Sequence, residues 1–65
     1  MTFYDELLQK YGYIEEPLVG VNADGEDVIV SIDKECACTR TLQHNGWQRV
    51  NIYYPDGTCE EYYER

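Results

Sequence analysis

Cations are scarce in this chain: five Lys and Arg stand against thirteen Asp and Glu, a net charge of −8 over 65 residues. A surface of that sign repels phosphate backbones and anionic lipid, so direct contact with nucleic acid or membrane is not expected. Long apolar runs are missing as well, and nothing approaches the ~20 residues that span a bilayer. The opening MTFYDELLQK has neither a charged n-region nor an apolar h-region. No signal peptide is therefore expected, and the cytoplasm is the expected compartment. Serine and histidine occur once each, as Ser31 and His44, which leaves few routes to nucleophilic catalysis. The glycines stand singly at turns and element ends, so no phosphate-cradling loop is present. The three cysteines, Cys36, Cys38 and Cys59, are an odd number without a secretory context, and reduced thiols are the expected state.

What the chain does have is apolar and aromatic bulk. Apolar residues make up 43% of it, with seven Tyr, one Trp and one Phe. That is enough for a globular protein and too much for a disordered tail. The length allows one domain, residues 1–65. A chain of this size buries only about 60% of its unfolded surface, so its core is thin. Large rings help such a core, and Tyr also marks surfaces that bind other proteins.

Residues 2–12 read as a helix. Thr2 is placed to cap it, Asp5 and Glu6 sit in the positive first turn, and Gly12 is the stop. Phe3, Leu7 and Tyr11 share one stripe at spacing four, with Tyr4 and Leu8 beside it. From Leu18 the period changes to two. A hairpin turns at Asn22-Ala23-Asp24-Gly25, a strand covers Val28–Ile32, another Ala37–Gln43, and His44-Asn45-Gly46 leads into Trp47–Tyr54. Pro55-Asp56-Gly57 is a further turn before a last strand at Thr58–Tyr63. The expected fold is α+β: one N-terminal helix packed on a four- or five-stranded antiparallel meander.

Register decides which side chains meet the helix. A three-residue His44-Asn45-Gly46 loop pairs Gln43 with Trp47. It groups Cys36, Cys38 and Leu42 with Val50, Ile52 and Tyr54, and this more apolar set is the expected core face, extended by Val28, Val30 and Ile32. Thr39, Thr41, Gln43, Trp47, Arg49, Asn51 and Tyr53 then form the outer face. A three-residue Pro55-Asp56-Gly57 loop sets Glu60 beside Ile52 on the core face. Either the last strand is an edge with an inward charge, or its register is shifted by one.

Three chemistries each have a simpler competing reading. Cys36, Cys38, Cys59 and His44 make up a Cys₃His zinc set, but Cys-x-Cys is a weak spacing and the register separates Cys59 from the other two. Cys36 and Cys38 are expected to be small core residues. Asn22, Asp24, Gly25, Glu26 and Asp27 resemble part of a calcium loop. Aligning Gly25 with its glycine, however, puts Gly20 and Ser31 where carboxylates belong, so a hairpin turn is expected. Nothing places His44 near a thiol. No catalytic residue, cofactor or metal is expected, and the chain reads as a non-enzyme.

Charge distribution carries more information than any motif. Met1–Glu35 holds nine acids and two bases, and Cys36–Tyr54 holds no acid but has Arg40, His44 and Arg49. Acids return at Asp56, Glu60, Glu61 and Glu64. An uncharged, aromatic hairpin framed by acids is the pattern of a binding surface. Trp47, Arg49, Tyr53 and Tyr63 are its candidate short-range contacts, and Glu26, Asp27, Glu60 and Glu61 belong to its steering rim. The expected partner is a basic protein, such as one that binds nucleic acid. In size, acidity and want of catalytic residues the chain is similar in general build to phage-encoded inhibitors such as anti-CRISPR proteins. That similarity implies a phage- or mobile-element-type inhibitor whose carboxylates mimic DNA phosphates. A small structural homo-oligomer and a cysteine-based metal-binding protein are the alternatives.

Overall fold

A computed structural model describes residues 1–65. The first element, α1 (Phe3–Tyr11), starts with a complete capping box. The Asp5 amide donates to Thr2 Oγ1 at 3.1 Å, and the Thr2 amide donates to Asp5 Oδ2 at 3.1 Å. Two orphan donors of the first turn are thereby satisfied, and the two acids there meet the positive end of the helix dipole. Gly12, at φ 71°, ends the helix, its amide donating to the Leu8 carbonyl.

Five strands follow: β1 (Leu18–Val21), β2 (Asp27–Ile32), β3 (Ala37–Leu42), β4 (Gln48–Tyr53) and β5 (Cys59–Glu64). They form one antiparallel sheet in sequential order. Three of the four hairpins use the same turn. Ala23-Asp24-Gly25, His44-Asn45-Gly46 and Pro55-Asp56-Gly57 are each closed by two backbone hydrogen bonds, one spanning the loop and one to its glycine amide. This is the three-residue loop in which a type I turn is followed by a left-handed residue, and the glycines take φ of 81°, 88° and 95°. Asn45 Oδ1 and Asp56 Oδ1 accept from the amides of Trp47 and Thr58, two residues on, which stiffens the bend. The loop length fixes the β3–β4 register as expected, Leu42 opposite Gln48, and the β4–β5 register, Ile52 opposite Glu60. The last strand is indeed an edge.

The face assignment is reversed from the sequence expectation. Ile32 pairs with Ala37 and Val30 with Thr39, so Val28, Val30 and Ile32 share a face with Ala37, Thr39 and Thr41, not with Cys38 and Val50. The β2–β3 turn is the cause. It has four residues, Asp33–Cys36, held by Asp33 Oδ1 accepting from the amides of Glu35 and Cys36 at 2.8 and 2.9 Å. An even loop switches which parity of β3 lies beside the even positions of β2. The helix covers this face, packing mainly at β3, where Tyr4 meets Ala37 and Ile32. Cys36 and Cys38 are accordingly half-buried thiols away from the helix, not core residues beneath it.

The core is correspondingly small. Tyr4, Ile32 and Ala37 are its buried centre, with Leu7, Leu8, Ile14, Val30 and Tyr53 packed against it. Tyr4, rather than the Phe3–Leu7–Tyr11 stripe, is the anchor. Ala37 is small enough to admit its ring, and its hydroxyl donates to the Asp33 carbonyl. Phe3 stays half-exposed but lies against Tyr53, ring centroids 4.5 Å apart. No helix is long and apolar enough to cross a membrane.

Candidate interaction surface

The helix runs from the β4–β5 turn, where Thr2 meets Gly57, toward Tyr11, which lines a groove with Leu18 and Val28. It therefore covers one end of its face. Beyond it the β3–β4–β5 corner stays open. Arg49 pairs with Thr41 on one side and Tyr63 on the other, placing all three on this face. One step further the Arg65 guanidinium lies over the Trp47 ring, 5.0 Å from its centroid. Trp47 and Tyr63 are 38% and 53% exposed, large rings that the fold leaves facing water.

The eight expected contact residues are thus divided by the sheet. Trp47, Arg49 and Tyr63 come together, and Glu61, opposite Asn51, shares their face. Tyr53 does not join them. It is half-buried under Phe3, and its phenol is pushed above its ordinary value first by that burial, then by Cys59 and Glu61, against lowering by Thr39 and Arg49. Glu60 and Asp27 point to the opposite face, paired with Ile52 and Leu42. Glu26 is tied into the β1–β2 turn, accepting from Asn22 Nδ2 at 3.2 Å. Arg65 is the member missed from sequence. The same Pro55-Asp56-Gly57 register that sets Gln48 opposite Glu64 carries Arg65 to Trp47, so the signal was available by extending the pairing one residue.

Electrostatically the corner is unusual for this chain. The chain's single ion pair lies on the opposite face, joining Arg40 to Glu64, and there Arg40 Nη1 also donates to Gln48 Oε1 at 2.7 Å. Arg49 and Arg65 have no carboxylate partner. Of thirteen acids, one is in the ion pair, so twelve are left without a cation. All acids except Asp5, Glu26 and Glu64 are exposed. They lie in the helix start, the interelement segments, the first residue of β2 and in β5, and the two strands β3 and β4 carry none.

The remaining reactive groups are dispersed. Cys38 and Cys59 point to opposite faces, paired with Ile52 and Tyr53. His44 sits in an exposed turn at the far end of β3 from Cys38. No group of three or more His, Cys, Asp or Glu side chains is arranged to hold a metal ion. The Cys36 thiol is pushed up by burial first, then by Asp33, Cys38 and Glu35, which makes it a poor nucleophile at neutral pH. An open cleft of about 620 Å³ lies between the Tyr13–Pro17 segment and the β2 end, lined by Tyr13, Ile14, Ser31 and Lys34 among others. Comparison with known protein families, characterised proteins and solved structures finds no match to this chain.

Proposed function

We propose that this protein is a non-enzymatic interaction module that docks on a basic surface of a partner protein. The observation that carries the reading is the excess of carboxylates, twelve without a cation and ten of them exposed, on a chain that leaves the Trp47 and Tyr63 rings open to water. Carboxylates in that number raise encounter rates with a cationic surface and orient the approach. They add little affinity once in place, since rim charges are screened. Short-range affinity falls to the rings: Trp, Tyr and Arg are the residues that dominate binding hot spots. Arg49 and Arg65 add selectivity, because a partner must bring a carboxylate or a carbonyl to that corner and cations to the rim.

The more specific form of the proposal is an inhibitor that occupies a nucleic-acid-binding groove, its carboxylates standing where phosphates lie. The separation of the acids into turns and edges favours a long groove over a point contact. Competition tests it. A basic groove protein held by this chain should release it when duplex DNA is added, and both should compete at the same salt. Retention of the chain at saturating DNA would leave only the general interaction reading.

A further inference from the structure

The two edges of the sheet differ in kind. β5 carries Glu60, Glu61 and Glu64, charges of the sort that keep an edge from pairing with another strand. The other edge, β1, is uncharged and exposed at all four residues, Leu18, Val19, Gly20 and Val21. Its ladder with β2 decides which backbone groups face outward. The Asn22 amide donates to the Glu26 carbonyl, so these two are a hydrogen-bonded pair. The alternation of an antiparallel ladder makes Gly20 with Val28 and Leu18 with Val30 the next two such pairs. Val19 and Val21 therefore turn their N–H and C=O groups away from β2, and no other part of the chain bonds to them. Pro17, two residues before Val19, has no N–H to extend the row.

Beside this edge lies a groove of about 400 Å³, bounded by Tyr11 and Leu18 and floored by Val28 and Val30. Gly20 opens it, since a Cβ built there would meet nothing within 4 Å. No cleft adjoins β5. We propose that β1 and this groove take an extended segment of a partner protein as a sixth strand. The segment carries aliphatic side chains at alternate positions and Lys or Arg at both ends. Main-chain bonds to Val19 and Val21 align it, and every second side chain drops over Gly20 toward Tyr11.

Charge names the occupant. Glu15 and Glu16 stand just before β1, and Asp24 and Asp27 just after it, all exposed and none in an ion pair. Two cations lie nearby. Lys10 sits over the Tyr11 ring, 5.2 Å from its centroid, and Lys34 shares the adjoining cleft with Glu15. Four acids against two cations leave the edge negative, so a strand flanked by cations is drawn to it. A second copy of this chain fits poorly. Two β1 edges related by a two-fold run antiparallel, and pairing Val19 with Val21 of the other copy sets Glu16 opposite Asp24, like charge against like. The inference shares a basic partner with the proposed function but not its surface. Trp47 precedes β4, three strands from β1, so either site can fail alone.

Titration of the full chain with the peptide Lys-Arg-Thr-Val-Thr-Val-Thr-Lys-Arg to ~1 mM at low salt, followed by amide chemical shifts, tests it. Saturable shifts should centre on Val19, Gly20, Val21 and Val30. The same peptide with Glu in place of its Lys and Arg should bind at least ~10-fold more weakly. Val19→Pro removes an outward N–H and no bond to β2, and Gly20→Ile fills the groove from a position with open space. Both should melt with the wild type and bind the peptide at least ~10-fold more weakly, and Trp47→Ala should bind it unchanged. The wild-type shift map does not depend on either variant's folding. Absence of saturable shifts, shifts centred elsewhere, equal binding of the Glu peptide, or binding unmoved by Val19→Pro overturns the inference. So does binding lost in Trp47→Ala, which would place the peptide at the other corner. A dimer of the free chain that dissolves on Val19→Pro also overturns it, by assigning the edge to a second copy.

Discussion

Removing one oxygen from Tyr4 tests how the helix is fastened to the sheet. Tyr4 is 4% exposed, and its hydroxyl donates to the carbonyl of Asp33, in the turn whose length decides which face the helix covers. Tyr4→Phe keeps the ring and deletes that donor, leaving a partly buried carbonyl unpaired. The expected loss is about 1–2 kcal/mol. Tyr4→Ala also removes the ring and should cost about 3–5 kcal/mol. A domain this small has roughly 3–10 kcal/mol in total, so the alanine variant should be largely or wholly unfolded at physiological temperature. For the phenylalanine variant, at ~4–8 °C per kcal/mol, the midpoint should fall by roughly 4–16 °C. Far-ultraviolet circular dichroism on heating, with urea titration as a second axis, reads both. The alkaline limb adds a sign. Burial first, then Tyr13, Asp33 and Asp5, raise the Tyr4 phenol above its ordinary value of 10.0. Its stabilising effect is therefore complete below pH 10 and lost as pH rises through the raised value. Tyr4→Phe should flatten that loss. A phenylalanine variant that melts with the wild type, or an alanine variant with an unchanged urea midpoint, would refute the anchoring argument.

Other consequences are as direct. Asp56 Oδ1 accepts from the Thr58 amide and, at 2.6 Å, from its hydroxyl, and these bonds lower the carboxyl below its ordinary value of 3.8. Its contribution is in place above that value and disappears as pH falls through the lowered one, so Asp56→Asn should melt with less pH dependence there. A thiol reagent should modify exposed Cys59 first and Cys36 last, and mass mapping of partially labelled protein checks the order; prior labelling of Cys36 would contradict its raised value. Gly46→Ala forces a side chain to φ 88° in the β3–β4 turn and should cost about 1 kcal/mol or more, read from the urea midpoint.

Much of the architecture is written in short-range signals. The capping box at Thr2 and Asp5, the stop at Gly12 and the repeated acid- or amide-Gly turns each have a local cause. Counting three residues in two loops was enough to place Gln43 opposite Trp47 and Glu60 opposite Ile52. The helix-facing side is not legible in the same way, because the Asp33–Cys36 turn has no glycine to mark its length. It closes through an Asp side chain, and its even length inverts the pairing of β2. Apolar content also misled: the face with Val50 and Ile52 is the richer one by composition, yet Tyr4 needs a small neighbour, and Ala37 supplies it on the other side. At the candidate surface, Trp47, Arg49 and Tyr63 were legible from type and parity. Tyr53 was not, since its burial depends on where Phe3 arrives, which no strand period encodes.

The interaction reading is tested most directly by affinity capture with the wild type and Trp47→Ala in parallel, from lysate at low salt, followed by a high-salt wash. Trp47→Ala should fold, losing about 1 kcal/mol or less at a site 38% exposed, yet weaken binding by ~2 kcal/mol. The prediction is a basic nucleic-acid-binding protein retained by the wild type, released at high salt and much depleted on the variant. Wild type that retains nothing but its own copies, or a partner held equally by the variant and unmoved by salt, would contradict it.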